Sequence, residues 1–340
     1  MKCPNCGHNH PAREGRTCTK CHYRFVFEKK DGITDNRMVQ LIKRLGEDGR
    51  YHLTRTQLAL GVAQLRGHHG AFYAVVPFAL GAVVAFTLAG LFIDRIPLLA
   101  VIGAIVGFMV VSAGSRALLI KLFPHPPISY REARQLLERY HREHPIDKLA
   151  TGGAYAHGGT GTPMEAGYAP ERVLVVEKED LADALIGNGF HREHRCVVVT
   201  VDGYPQHVFN ACREFVQRHP KLPIYLLHDA SAHGFRARAQ LEARPEWQFA
   251  RSRIRDLGIT REQLRQARQQ ALPWLVKGGE TVVYSPGHEN MLKSSGWVPV
   301  DYPPPPAFQG ALAAGLVAGM LTLPDPVAAG DGGGGADGAG

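Results

Sequence analysis

The 340-residue sequence has no apolar leader, few cysteines and fewer acidic than basic residues. Residues 1–10 are polar and cysteine-bearing, so we expect no secretory signal. Four of the six cysteines occur as two tight pairs, which favours metal binding over a disulfide framework. The formal charge of +8 and the isoelectric point near 9.2 allow anionic partners. Charge alone does not separate nucleic acid from acidic lipid.

Charged side chains are also missing from the stretch that organises the chain. Ala71–Ile93 contains no charged residue, and Leu98–Ile120 contains one, Arg116. At about 1.5 Å per residue each run forms a helix of roughly 35 Å, longer than a hydrocarbon core of about 30 Å. Asp94–Pro97 leaves room for only a tight turn. The pattern predicts a transmembrane hairpin, with a buried helical hairpin as the alternative.

Basic residues flank both apolar runs. They are Lys43, Arg44, Arg50, Arg55 and Arg66 before the first run, and Lys121, Arg131, Arg134 and Arg139 after the second. Segments rich in Lys and Arg stay in the cytoplasm, so we expect a multi-pass inner-membrane protein with both termini cytoplasmic. The lipid bilayer is then the first predicted partner.

Two Cys-x-x-Cys pairs near the start of the chain have the spacing of a metal site. The cysteines are Cys3, Cys6, Cys18 and Cys21, and eleven residues separate the pairs. Tetrahedral Zn²⁺ takes four ligands, with thiolates about 2.3 Å away, and a two-residue spacer lets both thiolates of a pair face one ion. The pattern resembles the zinc-ribbon family, with His22 where many ribbons have glycine and a strand expected at Tyr23–Phe27. We predict a structural Zn²⁺ site; redox pairs and free thiols are the alternatives.

Helical spacing of apolar residues occurs on both sides of the apolar hairpin. Asp35–Leu45 and Thr54–Leu65 precede it, and the second of these begins with a capping box that ends at Gln57. Tyr130–His144 follows it as a stalk or docking helix. The glycine-rich segment Thr151–Gly167 is interpreted as a flexible linker, because no Gly-Lys-Ser/Thr follows that would indicate a phosphate-binding loop.

Three apolar strands alternate with helices after the linker. The strands are Arg172–Val176, Cys196–Val201 and Ile224–Leu227, and the helices are Asp180–Gly187, Gln206–Arg218 and His233–Ala243. This order predicts a parallel sheet, in which function gathers at the carboxyl ends of the strands. Glu177, Asp202–Pro205 and His228–Asp229 follow the three strands. Cys196 and Cys212 are expected to be buried thiols.

These strand ends carry a second resemblance. The blocks VLVVEKEDLADAL, VVVTVDGYPQHVFNACREF and LPIYLLHDASAHGF resemble the Toprim domain, most closely that of topoisomerase VI A subunits and their meiotic strand-breaking relatives. By this resemblance Glu177 and Asp229 are the candidate catalytic residues. Asp229 takes the first position of an Asp-x-Asp pair. Candidates for cofactor binding are Asp202, Gly203, Tyr204, Ser231 and Gly234.

The resemblance implies a Mg²⁺ ion held between carboxylates, because a small, hard cation prefers oxygen ligands. The second Asp position is Ser231, which removes one negative charge, so Glu177 and Asp229 are expected to bind Mg²⁺ weakly or to belong to a degenerate binding fold. The topoisomerase relatives also need an upstream winged-helix domain with a catalytic tyrosine. The apolar hairpin, stalk and linker take that place here, so cleavage through a tyrosine is not expected.

The stretch 236–268 is rich in arginine and includes Trp247 and Phe249. Such a stretch suits a nucleic-acid backbone or anionic lipid, and a solvated helix face is the alternative. Further along, Glu280–Tyr284 is expected as a strand that joins the sheet. Ala311–Leu323 is apolar but too short to span a bilayer, so it docks on the domain or lies at the interface.

The predicted fold class is a multidomain membrane protein with a small zinc ribbon, a two-helix transmembrane hairpin and an α/β Toprim-like domain with a mainly parallel sheet. The predicted domains are a zinc ribbon (1–30), a helical segment (31–68), the hairpin (71–120), a stalk helix (129–145), a linker (146–170), the Toprim-like domain (171–300) and a Pro/Gly-rich, partly disordered tail (301–340).

The functional prediction is a membrane-tethered, non-catalytic or weakly catalytic protein whose Toprim-like domain binds nucleic acid, nucleotide or protein. One alternative is a Mg²⁺-dependent, phosphodiester-cleaving enzyme of the nuclease or topoisomerase type that uses Glu177 and Asp229. A second alternative is a membrane scaffold that binds only protein. Zn²⁺ is the predicted structural cofactor and Mg²⁺ the candidate second one.

Overall fold

The computed structural model describes residues 1–67, 70–92, 97–122, 129–156, 169–247, 253–259, 274–277, 280–283 and 296–322. The helices are α1 (Asp35–Leu45), α2 (Arg55–Gly67), α3 (Gly70–Phe92), α4 (Pro97–Leu122), α5 (Tyr130–Glu143), α6 (Glu179–Gly187), α7 (Phe190–Glu193), α8 (Gln206–Arg218), α9 (Gly234–Ala243) and α10 (Pro305–Ala318). The strands are β1 (Leu53–Thr54), β2 (Leu149–Ala150), β3 (Arg172–Val176), β4 (Cys196–Thr200), β5 (Ile224–Leu227), β6 (Ile254–Asp256), β7 (Trp274–Lys277), β8 (Glu280–Val283) and β9 (Gly296–Trp297).

The chain divides into two compact units. The first comprises residues Met1–Val39 and Gly61–Ser129, and the second comprises Gln40–Leu60 and Tyr130–Gly340. The linker residues 157–168 and the part of the tail from residue 323 lie outside the described residues.

In the first unit, α3 and α4 pack against each other as a helical hairpin. The Ser112 hydroxyl on α4 donates a hydrogen bond of 3.2 Å to the carbonyl oxygen of Pro77 on α3. The rings of Phe78 and Phe108 meet edge to face. A Cβ at Gly81 would lie 2.1 Å from the Ser112 hydroxyl oxygen, so the close approach of the two helices requires glycine there.

The transmembrane interpretation of this hairpin is wrong. Within the described ranges, no helix is both long enough and apolar enough to cross a membrane. The predicted spans at 71–120 are corrected accordingly. So are the membrane fold class, the inner-membrane location with cytoplasmic termini and the bilayer partner.

The second unit contains the predicted parallel sheet. Its strand order is β4-β3-β5-β6, and every neighbouring pair is parallel. Val173 of β3 is opposite Val197 of β4 on one side and Ile224 of β5 on the other. These strands are continuously apolar because helices cover both faces of the sheet.

Alternate residues of the central strand enter two separate cores. Leu174 and Val176 pack on one face with side chains from α6 and α10. Val173 and Val175 pack on the other face with side chains from α8 and α9. Because all four side chains are buried, the sheet is the middle layer of three, and its strand ends are held rigidly. Both remaining cysteines, Cys196 and Cys212, are buried as predicted.

Segments from both ends of the second unit join this sheet domain. β1 pairs in parallel with β2. The predicted capping box of α2 is confirmed, because Thr54 N–H donates to Gln57 Oε1 at 3.0 Å and Gln57 N–H donates to Thr54 Oγ1 at 3.1 Å. The C-terminal apolar segment docks as α10, where Phe308, Leu312 and Leu316 are buried.

Two predicted strands differ from the observed ones. At Tyr23–Phe27 there is only an isolated bridge between Arg24 and Thr17. The N–H groups of Val26 and Phe27 donate to the Asp35 carboxylate, at 2.9 and 3.2 Å, instead of to a neighbouring strand. The strand predicted from Glu280 is β8, but it pairs with β7 in a separate antiparallel sheet and does not extend the parallel one.

Candidate functional site

The four N-terminal cysteines lie in two turns with matching backbone hydrogen bonds. Gly7 N–H donates to the Cys3 carbonyl oxygen at 2.9 Å, and His22 N–H donates to the Cys18 carbonyl oxygen at 2.9 Å. Gly7 and His22 both have positive φ, +71° and +60°. His22 therefore occupies the left-handed position that glycine fills in the first turn, and the second turn keeps the same shape.

The sulfur atoms of these turns converge. The Sγ atoms of Cys3 and Cys21 are 3.5 Å apart, and those of Cys6 and Cys18 are 3.7 Å apart. All four Sγ atoms lie within 4.8 Å of one another. Four thiolates about 2.3 Å from one tetrahedral ion are separated by about 3.8 Å, so this set could hold Zn²⁺. A hydrogen bond from the backbone of Tyr23 lowers the pKa of Cys21 to about 7, which favours the thiolate that a metal needs.

The predicted acidic residues stand at the carboxyl ends of three neighbouring strands. Glu177 follows β3, Asp202 lies just beyond β4, and Asp229 lies just beyond β5. Glu177 Oε2 accepts a hydrogen bond of 2.9 Å from the backbone N–H of Asp229. Glu177 Oε1 lies 2.7 Å from Nδ1 of His233. The fold thus brings the Glu177 carboxylate against the backbone of Asp229.

The Asp229 carboxylate is buried among partners from its own chain. Its Oδ1 accepts a hydrogen bond of 2.8 Å from Val300 N–H, and its Oδ2 lies 3.2 Å from Lys178 Nζ. Burial raises the pKa of Asp229 to about 7; Lys178 acts against the shift, and the nearby charges of Asp301 and Glu177 add to it.

Lys178 links Asp229 to a second buried carboxylate. Its Nζ lies 2.7 Å from Oδ1 of Asp301, and its ammonium group lies 5.4 Å from the centre of the Trp297 ring. Oδ2 of Asp301 accepts a hydrogen bond of 2.6 Å from the Thr54 hydroxyl. Burial opposes the charge on Lys178, but Asp229 and Asp301 outweigh it and raise the pKa of Lys178 well above its usual value. Residues far apart in the sequence therefore form one buried polar network.

Of the predicted cofactor-binding residues after β4, Asp202 faces solvent and Tyr204 faces the core. The Asp202 carboxylate forms an ion pair with Arg244. The Tyr204 side chain is buried, and its hydroxyl donates to the Asp183 carboxylate. Gly203, with φ of +88°, makes the turn between them. Tyr204 is therefore part of the core, whereas Asp202 is accessible from solvent.

Ser231 and Gly234 shape the start of α9. The Ser231 hydroxyl oxygen accepts a hydrogen bond of 2.8 Å from Gly234 N–H. A Cβ at Gly234 would lie 2.1 Å from the carbonyl oxygen of Asp229, so no side chain fits there. The hydroxyl that replaces the expected second carboxylate thus satisfies a backbone donor at the beginning of the helix.

A pocket of about 400 Å³ opens beside Glu177 at the strand ends. Its lining residues are Glu177, Val201, Asp202, His233, Gln240, Ala243, Arg244, Pro245 and Glu246. Asp229 does not line it. His233 is bonded through Nδ1 to Glu177, and Arg244 is paired with Asp202, so the pocket combines carboxylates with two groups able to contact an anion.

The arginine-rich stretch is described at 236–247 and 253–259. Arg238 pairs with Glu242 along α9. Arg253 donates to the Leu222 carbonyl oxygen from two of its nitrogens, at 3.0 and 2.6 Å. Among the described arginines, Arg244 is the one that lines the pocket.

The residues that the resemblance assigns to Mg²⁺ do not fit a ready cation site. Mg²⁺ needs several oxygen ligands arranged around one point. The Asp229 carboxylate already contacts Val300 N–H and Lys178 Nζ. The Glu177 carboxylate already contacts Asp229 N–H and His233 Nδ1. Across the part of the chain that the structure describes, the cysteine cluster is the one group of three or more metal-ligating side chains that converge.

The fold and the strand-end residues define a parallel α/β domain with its candidate site at the carboxyl ends of the strands. Residues 172–270 match the family model for the Toprim domain of the topoisomerase 6 A subunit and Spo11. The resemblance carried by the three sequence blocks is therefore confirmed for this part of the chain.

Individual relatives also match part of the chain. The A subunit of the type 2 DNA topoisomerase 6 of Hyperthermus butylicus is 38% identical over 87 residues, 24% of this chain and 22% of the relative. The corresponding protein of Sulfurisphaera tokodaii is 40% identical over 68 residues, 19% of this chain and 17% of the relative. Meiotic recombination protein SPO11-1 of Oryza sativa subsp. indica is 35% identical over 63 residues, 18% of this chain and 16% of the relative. The chain thus spans only about a fifth of the length of these relatives, and no solved structure matches it.

Sequence reasoning missed four residues that shape this site. Lys178 and His233 lie inside the quoted blocks, next to Glu177 and just before Gly234, and their positions beside candidate residues were an available signal. Asp301 and Thr54 gave no such signal, because they reach the site from distant parts of the chain.

Proposed function

We propose that this chain acts on nucleic acid and that its strand-end pocket binds the phosphate backbone. The observation that carries the proposal is the match of residues 172–270 to a Toprim domain found in proteins named as DNA topoisomerase subunits. The described pocket lies at the strand ends and presents a guanidinium and an imidazole beside three carboxylates. A net charge of +8 favours a polyanionic ligand.

Arg244 is the residue we assign to phosphate. A guanidinium offers two parallel N–H donors that match the oxygens of a phosphate or a carboxylate. Arg244 pairs with Asp202, whose side chain is 71% exposed. An exposed ion pair contributes little stability, so a phosphate can exchange with Asp202 at small energetic cost. His233, held by Glu177, contacts the same ligand.

We further propose that Cys3, Cys6, Cys18 and Cys21 bind a structural Zn²⁺. When bound, the ion cross-links two turns that are separated by eleven residues in a segment with little secondary structure. Four protein ligands leave no open position for a substrate, so this site is assigned to folding and not to catalysis.

The test of nucleic-acid binding uses the full chain and fluorescently labelled DNA, with affinity measured by anisotropy over a range of salt concentrations. We expect affinity to fall as salt rises, and Arg244→Gln to weaken binding by about tenfold with a salt slope smaller by about one. Lys221→Gln is the matched control, because Lys221 is exposed and does not line the pocket. Absence of binding, or equal effects of the two variants, would refute the proposal.

The second candidate function is Mg²⁺-dependent cleavage of phosphodiester bonds. It is favoured by the names of the relatives and by the two carboxylates, Glu177 and Asp229, which stand at the strand ends that correspond to the Toprim motifs. Supercoiled plasmid incubated with the full chain and Mg²⁺ distinguishes the two functions. Nicking that Glu177→Gln abolishes would establish the enzyme, and binding without nicking supports the first proposal. If neither occurs, the remaining function is protein binding.

A further inference from the structure

The carboxylate of Asp229 is fully engaged by its own chain. Only 4% of the residue is exposed, and both carboxylate oxygens have a partner, Val300 N–H and Lys178 Nζ. The second carboxylate on Lys178, Asp301, has no exposure at all. An ammonium group thus already lies between two buried carboxylates and pairs with both of them.

One of the two partners of Asp229, Val300, and the second carboxylate on Lys178, Asp301, come from outside the part of the chain that matches the Toprim family. The matched range is 172–270, whereas Val300 and Asp301 belong to a segment that follows β9. That segment is fixed on the strand-end loop, because Ala230 and Val298 exchange two backbone hydrogen bonds of 3.0 and 2.9 Å. The Asp301 carboxylate is tied in turn to Thr54. The arrangement around Asp229 therefore depends on segments outside the matched range.

Glu177 is engaged separately and on the pocket side. One carboxylate oxygen accepts the N–H of Asp229, and the other is bonded to His233. Glu177 lines the pocket and Asp229 does not, so the two carboxylates lie in different environments.

We infer that the strand-end pocket binds a phosphodiester directly, through Arg244 and His233, without a divalent cation held between Glu177 and Asp229. Asp229 instead anchors the C-terminal segment through Val300 and Lys178. This inference rests on the proposed function for the identity of the ligand, but the assignment of Asp229 is independent of it.

The energetics support this assignment. A cation that used Asp229 would have to displace the Lys178 ammonium and take an acceptor from Val300 N–H. Displacement would leave Asp301 buried without its positive partner and leave a buried backbone donor unsatisfied. Both changes are costly in a buried setting, and Ser231 supplies a neutral oxygen where a second carboxylate would have compensated.

The first test is a titration of the zinc-loaded full chain with Mn²⁺, which replaces Mg²⁺ at carboxylate sites and is followed by electron paramagnetic resonance. We expect the wild type and Glu177→Gln to leave the same signal of free Mn²⁺. A loss of signal common to both proteins arises elsewhere and agrees with the inference. A loss in the wild type that Glu177→Gln removes would overturn it.

The second test compares DNA affinity in millimolar Mg²⁺ with affinity in buffer freed of divalent ions by a chelating resin, at equal ionic strength. We expect the two dissociation constants to agree within about twofold, because phosphate contacts by side chains need no bridging ion. Binding that requires Mg²⁺ and is lost in Glu177→Gln would overturn the inference. Absence of binding in both buffers would refute the proposed ligand, while the Mn²⁺ titration still decides whether Asp229 and Glu177 hold a cation.

Discussion

The cysteine cluster and the strand-end site differ in how far apart in the sequence their parts lie. The cysteine cluster is built from two short turns, and its four sulfur atoms lie within 4.8 Å of one another. The strand-end network joins residues from Thr54 to Asp301. There the fold, and not the local spacing, decides which group each carboxylate meets. Local spacing predicts that the four thiols converge, whereas it does not predict the partners of carboxylates separated by whole helices and strands.

Loss of one cysteine ligand tests the cysteine cluster, whose parts are close in the sequence. It should have the largest effect on folding free energy. Cys18→Ser removes a ligand from a site whose metal supplies about 10 kcal/mol of apparent folding free energy in small zinc domains. We expect one Zn²⁺ per wild-type chain, none in the variant, and rapid proteolysis of the segment around the cluster. Cys212→Ala, at a buried cysteine outside the cluster, should retain the metal. Full zinc content in Cys18→Ser would show that the cluster does not bind as proposed.

Removal of the Lys178 ammonium group tests the strand-end network, whose members are far apart in the sequence. Lys178→Met leaves Asp229 and Asp301 buried without their shared cation, so we expect the free energy of unfolding to fall by about 3–5 kcal/mol in urea titrations. Adding Asp301→Asn to Lys178→Met should recover part of the loss, because one of the uncompensated charges is then absent. Lys221→Met is the exposed control. A loss no greater than that of the control would mean that the network contributes little.

The pH dependence of stability tests a buried histidine that lies in the same unit but outside this network. Burial of His191, helped by the charge of Arg192, lowers its pKa to about 4 from an unfolded value near 6.5. Between those pH values the unfolded chain binds a proton that the folded chain does not. The contribution of His191 to stability should therefore be complete above about pH 6.5 and should fall by about 3 kcal/mol as the pH drops to about 4.

The control for this pH effect is His191→Gln, which cannot titrate. The unfolding free energy of this variant, measured across the same pH range, should rise less steeply with pH than that of the wild type. This holds whatever the overall stability of the variant is. Equal slopes in the two proteins would assign the acid sensitivity to other groups.

The smallest expected effect is at the junction of the distant segments. Thr54→Ala removes the cap of α2 and the hydrogen bond to Asp301, so we expect a loss of about 1–2 kcal/mol in urea titrations. Thr34→Ala removes only an exposed capping bond to Arg37 N–H and should lose less. If the two substitutions have equal effects, the buried link between Thr54 and Asp301 adds nothing beyond a helix cap.

Much of the local structure could be predicted from the sequence. The limits of α1, α8, β3 and β5 agree with the apolar patterns, because propensity and periodicity act over a few residues. The same patterns predicted helices in the apolar stretch, but the inference from apolar composition to a membrane crossing was wrong.

The pairing of side chains at the strand ends was beyond sequence reasoning. Val300 meets Asp229 across 71 residues, and Thr54 meets Asp301 across 247. No local pattern marks contacts of this range. The sequence shows that Ser231 replaces the second carboxylate. It does not show that the Lys178 ammonium group pairs with the Asp229 carboxylate.

A crystal of the full chain grown with a short oligonucleotide and Mn²⁺ gives the most direct test of the account, through the anomalous difference map at the strand ends. We predict a phosphate against Arg244 and His233, Asp229 still bonded to Lys178 and Val300, and no anomalous peak between Asp229 and Glu177. A Mn²⁺ peak coordinated by both carboxylates, with Lys178 displaced, would contradict it.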